Sequence, residues 1–146
     1  MRASRAFWDT SALIPLVVRQ AGSQRARQLL RKYPATVVAW VTLIEFRGTV
    51  ARLVRAGELP EAARRAMIVR LDQMRRTWVE VLPTSSLRET AIDCLDRYDL
   101  RAADAVQLAS AIEWCDGRPS RRPFITFDDR LAAAATLVGF EVLQAR

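Results

Sequence analysis

Hydrophobic residues along the chain fall into two alternating patterns, short apolar runs and longer amphipathic segments. The short runs are rich in β-branched and aromatic residues, which is typical of buried strands. They predict five strands, at Arg5–Trp8, Thr36–Ala39, Trp78–Leu82, Phe124–Phe127 and Glu141–Leu143.

The amphipathic segments between these runs show the helical spacing of apolar residues. They predict seven helices, at Ser11–Val18, Ser23–Lys32, Thr42–Ala56, Pro60–Arg76, Ser86–Tyr98, Ala102–Trp114 and Asp128–Leu137. Thr10 or Ser11 is expected to cap the first helix and Ser23 the second, because hydroxyl side chains accept hydrogen bonds from free N–H groups at helix starts. Gly57 and Gly139 are expected to end the third and seventh helices.

Strands that alternate with helices predict a mainly parallel sheet covered by helices on both faces, a three-layer α/β/α sandwich. The 146 residues contain no repeat, low-complexity segment or linker, so we expect one domain over residues 1–146. In such folds, ligands bind beyond the carboxyl ends of the strands. Acidic residues that follow strands or begin helices at that edge are therefore candidates for function.

Composition adds several exclusions. No apolar run approaches the roughly 18 residues of a membrane span. Asp9 interrupts the apolar stretch near the N-terminus and no small-residue cleavage site follows, which argues against a signal peptide. Cys94 and Cys115 have no metal-binding spacing and fall in helical segments, so buried free thiols and a cytoplasmic location are expected.

The chain is strongly basic, with 23 Lys and Arg residues against 16 Asp and Glu and a net charge of +7. Such a surface suits an anionic partner, of which nucleic acid is the commonest, although a basic surface can also be merely solvated. Histidine is absent. This excludes histidine general bases, Ser-His-Asp triads and His-ligated zinc, and leaves a carboxylate–metal mechanism as the leading hydrolytic chemistry.

Four acids stand out by position. Asp9 and Asp128 follow the first and fourth predicted strands, although Asp129 could take the place of Asp128. Glu45 lies among apolar residues of the third predicted helix, and Asp104 lies among alanines at the start of the sixth. Each alone could be a helix cap, a solvated side chain or an ion-pair partner. Together they can converge at one edge of the sheet, where a cation would have to offset their repulsion, and oxygen ligands select Mg²⁺ or Mn²⁺.

Four segments carry a family resemblance, in the order FWDTSAL, VTLIEF, LRAADAVQLA and FITFDDRLAAAA. Together they resemble the acidic motifs of the PIN-domain ribonucleases, and specifically the bacterial VapC toxins of VapBC toxin–antitoxin pairs. The resemblance covers nearly the whole chain. It implies that Asp9, Glu45, Asp104 and Asp128 are both the metal ligands and the catalytic residues.

The resemblance also implies a Rossmann-like fold, Mg²⁺ dependence with Mn²⁺ as a substitute, a homodimer and a cognate VapB-type antitoxin. Ser11 and Thr126 match positions whose hydroxyls support the site. The function implied is that of a Mg²⁺-dependent endoribonuclease, the toxin of a type II toxin–antitoxin system. One departure is the short tail, since only residues 144–146 follow the last predicted strand.

Other classes fit less well. A receiver domain needs a lysine after its last strand, whereas Lys32 is the only lysine, and a haloacid-dehalogenase-like domain needs Asp-x-Asp, whereas Thr10 and Ser11 follow Asp9. The glycines form neither of the common nucleotide-binding loops. The alternative from another class is a non-catalytic PIN-like domain that binds RNA or protein.

Overall fold

A computed structural model describes residues 4–146 of the chain. Its strands are β1 (Arg5–Trp8), β2 (Ala35–Ala39), β3 (Val79–Val81), β4 (Pro123–Ile125) and β5 (Glu141–Leu143). Its α-helices are α1 (Thr10–Leu13), α2 (Ser23–Lys32), α3 (Thr42–Arg55), α4 (Glu61–Arg75), α5 (Ser85–Arg97), α6 (Ala102–Trp114) and α7 (Asp129–Val138). A 3-10 turn, Ile14–Leu16, follows α1.

All five strands pair in parallel, in the order β3-β2-β1-β4-β5. The predicted parallel sheet is thus confirmed. The chain builds outward from β1 to β3 and then returns to place β4 on the other side of β1. The strand order therefore reverses between β1 and β4, and a crevice opens at such a switch point beyond the carboxyl ends of the two strands.

Alternate side chains of each strand enter two separate cores, one on each face of the sheet. Phe7 and Phe124 stack with ring centroids 5.3 Å apart on the face covered by α5, α6 and α7. Trp8 and Ile125 point to the opposite face, where they pack with residues of α1, α2, α3 and α4. This alternation produces the predicted three-layer α/β/α sandwich.

The first predicted helix, Ser11–Val18, is wrong in its length and its cap. The α-helix ends at Leu13, and Pro15 lies in the following 3-10 turn. Proline has no N–H to donate to the preceding turn, so the chain leaves the α-helical path there. The N-cap is Asp9, whose side chain accepts a hydrogen bond from the Ser11 backbone N–H over 3.4 Å, rather than Thr10 or Ser11.

Two further predictions need correction. Gly22, not Ser23, is the N-cap of α2, since the Ser23 hydroxyl instead accepts from the Gln20 N–H and donates to a carbonyl of the preceding loop. β4 ends at Ile125, two residues before the predicted Phe127. Most other helix ends differ from the predictions by one residue, the usual uncertainty of such boundaries.

Other expectations hold. Gly57 and Gly139 follow α3 and α7 with φ of 74° and 116°, the left-handed backbone that favours glycine at helix ends. Cys94 and Cys115 are buried and free. Within residues 4–146, no helix is both long and apolar enough to cross a bilayer.

Candidate active site

A cleft of about 310 Å³ opens at the switch point between β1 and β4. All four acids singled out in the sequence line it, although they come from four separate parts of the chain. The lining residues are Asp9, Thr10, Ser11, Ile14, Glu45, Gly48, Thr49, Arg52, Asp104 and Asp128. The fold thus brings the predicted acids to one place.

Asp9 lies directly after β1 and is only 6% exposed. Its Oδ2 accepts hydrogen bonds from the hydroxyls of Ser11 and of Thr126, the latter over 2.9 Å. Each hydroxyl in turn accepts a backbone N–H, that of Phe127 at 2.9 Å for Ser11 and that of Asp128 at 3.1 Å for Thr126. Because each hydroxyl already accepts from a backbone donor, its hydrogen is directed to Asp9.

These donors do not offset the cost of burial. Desolvation raises the pKa of Asp9 from 3.8 to about 6, and the negative charge of Glu45 adds to the rise. A buried carboxylate favours its neutral form unless a cation compensates it. A bound cation would favour the ionised form of Asp9, so this residue is suited to binding one.

Glu45 is half-buried in the first turn of α3 and is held by neutral polar side chains. Its Oε1 accepts hydrogen bonds from the Gln107 side-chain amide and from the Thr10 hydroxyl. The same amide nitrogen lies 3.1 Å from the Thr10 hydroxyl and 3.0 Å from that of Thr42. This buried network was not predicted from the sequence. Its one available signal was the spacing that places Gln107 one helical turn after Asp104.

Asp104 and Asp128 also cap helices. Asp104 accepts from the Arg101 backbone N–H at 3.3 Å, and Asp128 accepts from the Leu131 N–H at 2.9 Å as the N-cap of α7. Asp129 is exposed and accepts instead from the Gln144 side chain at 3.3 Å. Of the two neighbouring aspartates, Asp128 is therefore the one that faces the cleft.

Mutual repulsion links the four carboxylates in a series. Besides burial, the charge of Glu45 raises the pKa of Asp9, that of Asp104 raises the pKa of Glu45, and that of Asp128 raises the pKa of Asp104. Within residues 4–146, however, no three acidic or cysteine side chains stand close enough to hold an ion between them. The acids surround an open cleft rather than forming a closed cluster.

The donor set fits a hard divalent cation by its chemistry. The side chains that could bind an ion in the cleft are the four carboxylates and the nearby hydroxyls, and all of these offer oxygen atoms. Such oxygen ligands suit Mg²⁺ or Mn²⁺, and Mg²⁺ binds with few protein ligands while it keeps several waters. An open arrangement of acids leaves space for those waters and for a substrate.

The fold and the cleft together define a three-layer α/β/α protein with an acidic site at the switch point of its sheet. A family model of the PIN domain matches residues 6–137 of the chain. The chain therefore belongs to the PIN domain family, which is a family of nucleases. No curated protein matches the chain significantly.

Several solved structures share this fold. FitAcB from Neisseria gonorrhoeae has a TM-score of 0.69 at 16% identity, with 96% of this chain and 97% of that chain covered. VapC20 from Mycobacterium tuberculosis, described as a sarcin–ricin loop cleaving toxin, has a TM-score of 0.63 at 23% identity, with 88% and 94% covered. A toxin–antitoxin complex from Klebsiella pneumoniae has a TM-score of 0.61 at 19% identity, with 97% and 98% covered.

Proposed function

We propose that the protein is a Mg²⁺-dependent endoribonuclease that hydrolyses RNA phosphodiester bonds and serves as the toxin of a type II toxin–antitoxin system. The observation that carries the proposal is the cleft, which acids from four separate segments line and in which burial raises the pKa of Asp9, Glu45 and Asp104. Because the chain has no histidine, a carboxylate–metal mechanism is the leading chemistry for a nuclease of this composition. Membership of the PIN domain family supports the nuclease assignment.

In this proposal Asp9, Glu45, Asp104 and Asp128 hold Mg²⁺, with Mn²⁺ as a substitute. When bound, the ion would supply an activated water and offset the charge that builds on the phosphate oxygens. The protein's own contribution is orientation. The hydroxyls next to Asp9 and the amide next to Glu45 fix the two carboxylates most deeply set in the cleft.

The partners follow from charge and fold. A net charge of +7 supports binding to the phosphates of RNA. The chain covers 98% of the matched chain of the Klebsiella pneumoniae toxin–antitoxin complex, which supports a cognate VapB-type antitoxin. A homodimer and action in the cytoplasm are further parts of the proposal, and they rest on the family resemblance of the four motifs.

Cleavage of RNA by matched aspartate variants tests the proposal. Asp104→Asn removes one acid from the cleft, whereas Asp129→Asn makes the same chemical change at an exposed site outside it. We expect the first to lower RNA cleavage by more than the roughly 10–100-fold that an outer partner of a metal site contributes, and the second to leave cleavage unchanged. Asp9→Asn and Glu45→Gln should behave like Asp104→Asn, with circular dichroism confirming that each variant is folded.

The outcomes also separate the alternative function. If the protein binds RNA but the Asp104→Asn and Asp129→Asn variants show the same weak cleavage, it is a non-catalytic PIN-like binding domain. For the toxin assignment, induced expression should arrest bacterial growth, and Asp104→Asn should relieve the arrest.

A further inference from the structure

We propose that a nucleotide-binding subsite for single-stranded RNA adjoins the acidic cleft, with Arg52 binding a backbone phosphate and Phe127 stacking on a base. The proposal rests on the proposed ribonuclease function and specifies how its substrate lies in the site.

The acidic cleft continues into a second cavity of about 500 Å³. The two cavities share four lining residues, Ser11, Ile14, Thr49 and Arg52. They therefore form one groove, in which Arg52 lines both cavities and Phe127 lines the second. A strand that is cut at the carboxylates must leave the site, and this groove is a continuous path for it.

Arg52 stands at the junction of the two cavities. It lies seven residues after Glu45 on α3, so it shares a face with Glu45 and stands roughly 10 Å further along the helix. Its Nη2 donates to the Thr49 hydroxyl at 3.2 Å, and the ion pairs found within residues 4–146 all involve other arginines. An exposed guanidinium with no carboxylate partner is suited to a phosphate, which it can bind through two parallel hydrogen bonds.

Gly48 lies between Glu45 and Arg52 on the same wall of the groove. Glycine in the middle of a helix costs about 1 kcal/mol relative to alanine. A Cβ at this position would meet no atom within 4 Å, and the backbone does not adopt a positive φ there. Neither packing nor backbone geometry explains the glycine. Bare backbone beside the groove instead lets a ligand approach α3 closely.

Phe127 supplies the aromatic surface of the second cavity. It is half-buried, and a Cβ on Gly22 would lie only 2.9 Å from its Cε2, so the loop before α2 packs tightly against the ring. A ring fixed in this way loses little entropy on binding. Aromatic side chains bind unpaired bases by stacking, which accounts for much of the affinity of proteins for single-stranded RNA. Arg52 and Phe127 therefore offer one nucleotide of such a strand a cation for its phosphate and a ring for its base.

The first test measures binding separately from cleavage. The parent is Asp104→Asn, which should bind RNA without cutting it, and the probe is a fluorescently labelled single-stranded oligoribonucleotide followed by anisotropy. Adding Arg52→Gln should weaken binding about tenfold to hundredfold, the effect of losing a charge-assisted hydrogen-bonded contact. Adding Arg88→Gln, an exposed arginine of α5 outside the groove, should leave it unchanged. Equal affinity of the Arg52 and Arg88 variants would overturn the phosphate subsite.

Two further variants test the shape of the groove and the stacking contact. Gly48→Val keeps every charge but fills the space beside α3, and should raise KM for the same oligonucleotide while kcat changes little. An abasic position moved through the oligonucleotide should weaken binding most where its base meets Phe127, and Phe127→Leu should abolish that position's effect. Thermal unfolding confirms that each variant is folded.

The outcomes distinguish this proposal from the function on which it rests. Absence of cleavage by the unsubstituted protein, with binding still dependent on Arg52 and Phe127, would contradict the ribonuclease activity and keep the subsite. Normal cleavage with no effect of Arg52→Gln or Gly48→Val would remove the subsite and keep the activity. If Arg52→Gln releases a co-purifying protein partner but leaves the affinity for RNA unchanged, the groove binds that partner, and RNA binding there is overturned.

Discussion

Burial of the Asp9 carboxylate lowers the stability of the ion-free fold but prepares the residue to bind a cation. Its position after β1 places it where a ligand can reach it, but its burial raises its pKa to about 6. Serine and threonine hydroxyls orient the carboxylate without neutralising it. The residue is therefore better suited to binding a cation than to stabilising the ion-free fold.

The raised pKa of Asp9 predicts how ion-free stability depends on pH. The folded protein holds this proton more tightly than the unfolded chain, so the stabilising contribution is full below pH 3.8 and is lost as the pH rises to about 6. The difference corresponds to roughly 3 kcal/mol at most. Urea unfolding in chelator between pH 4 and pH 7.5 should show a fall in the free energy of unfolding that is smaller in Asp9→Asn. The same fall in both proteins would show that Asp9 is not the group responsible.

Acidic residues of the site could be predicted from the sequence, but their neutral partners could not. Each acid alone has an ordinary structural explanation, but the four together, in positions that can meet at one edge of the sheet, indicate a site. Thr10, Thr42 and Gln107 are of residue types that are mostly solvent-exposed, so nothing in the sequence marks them as buried. The hydrogen bonds between Gln107 and the two threonines span 65 and 97 residues of sequence. Only the folded chain brings them together around Glu45.

At the scale of secondary structure, Asp128 has two separable roles. As the N-cap of α7 it accepts the Leu131 N–H, and as a cleft residue it contributes negative charge. Asp128→Ala should lower stability by about 1 kcal/mol, the usual cost of losing such a cap, whereas Asp128→Ser should preserve most of it. Both should abolish most RNA cleavage. Cleavage by the serine variant at the normal rate would restrict Asp128 to capping.

The elements themselves were mostly predictable, with two informative exceptions. β1, α2, α6 and β5 agree residue for residue with the apolar pattern. The pattern could not show that Pro15 converts the end of the first helix into a 3-10 turn. It also could not show that the Arg70 side chain of α4 binds within the protein. Its guanidinium donates hydrogen bonds to the backbone carbonyls of Leu16 and Val17 at 2.9 and 3.3 Å.

Two other arginines of α4 are likewise engaged, because Arg64 pairs with Glu61 at 3.7 Å and Arg75 with Asp72 at 3.1 Å. These are exposed pairs between neighbouring turns, which contribute little and can exchange for a phosphate. Arg65 takes part in neither pair. The cluster of arginines makes α4 a candidate for general RNA binding, with Arg65 more available to a phosphate than its paired neighbours.

At the scale of the whole molecule, the net charge predicts salt-dependent binding to RNA. Each phosphate contact that displaces a counterion changes the slope of log affinity against log salt by about 0.7 on a single strand. Replacing both Arg64 and Arg65 with Gln should therefore lower the slope by up to about 1.4, roughly equally for any RNA sequence. Affinities measured at several salt concentrations decide this. An unchanged slope would leave α4 to an antitoxin or to solubility.

Strand order is the whole-molecule property that the sequence pattern alone did not determine. Alternation of strands and helices predicts a parallel sheet, but it does not say which strands are neighbours. The return of β4 to the side of β1 opposite β2 creates the switch point and brings Asp128 next to Asp9. The site is therefore a consequence of topology, and the family motifs mark it only because the topology is shared.

Chelation with add-back tests most directly whether these carboxylates cut RNA by means of a divalent cation. Purified protein is incubated with single-stranded RNA in excess EDTA and then with excess Mg²⁺, with Asp104→Asn purified in parallel to reveal contaminating nucleases. We predict no cleavage in EDTA, full cleavage after Mg²⁺, and a 5′-phosphate on the downstream fragment, because no histidine is present to activate the RNA's own 2′-hydroxyl. Full cleavage in excess chelator, or a 2′,3′-cyclic phosphate product absent from the Asp104→Asn control, would contradict this mechanism.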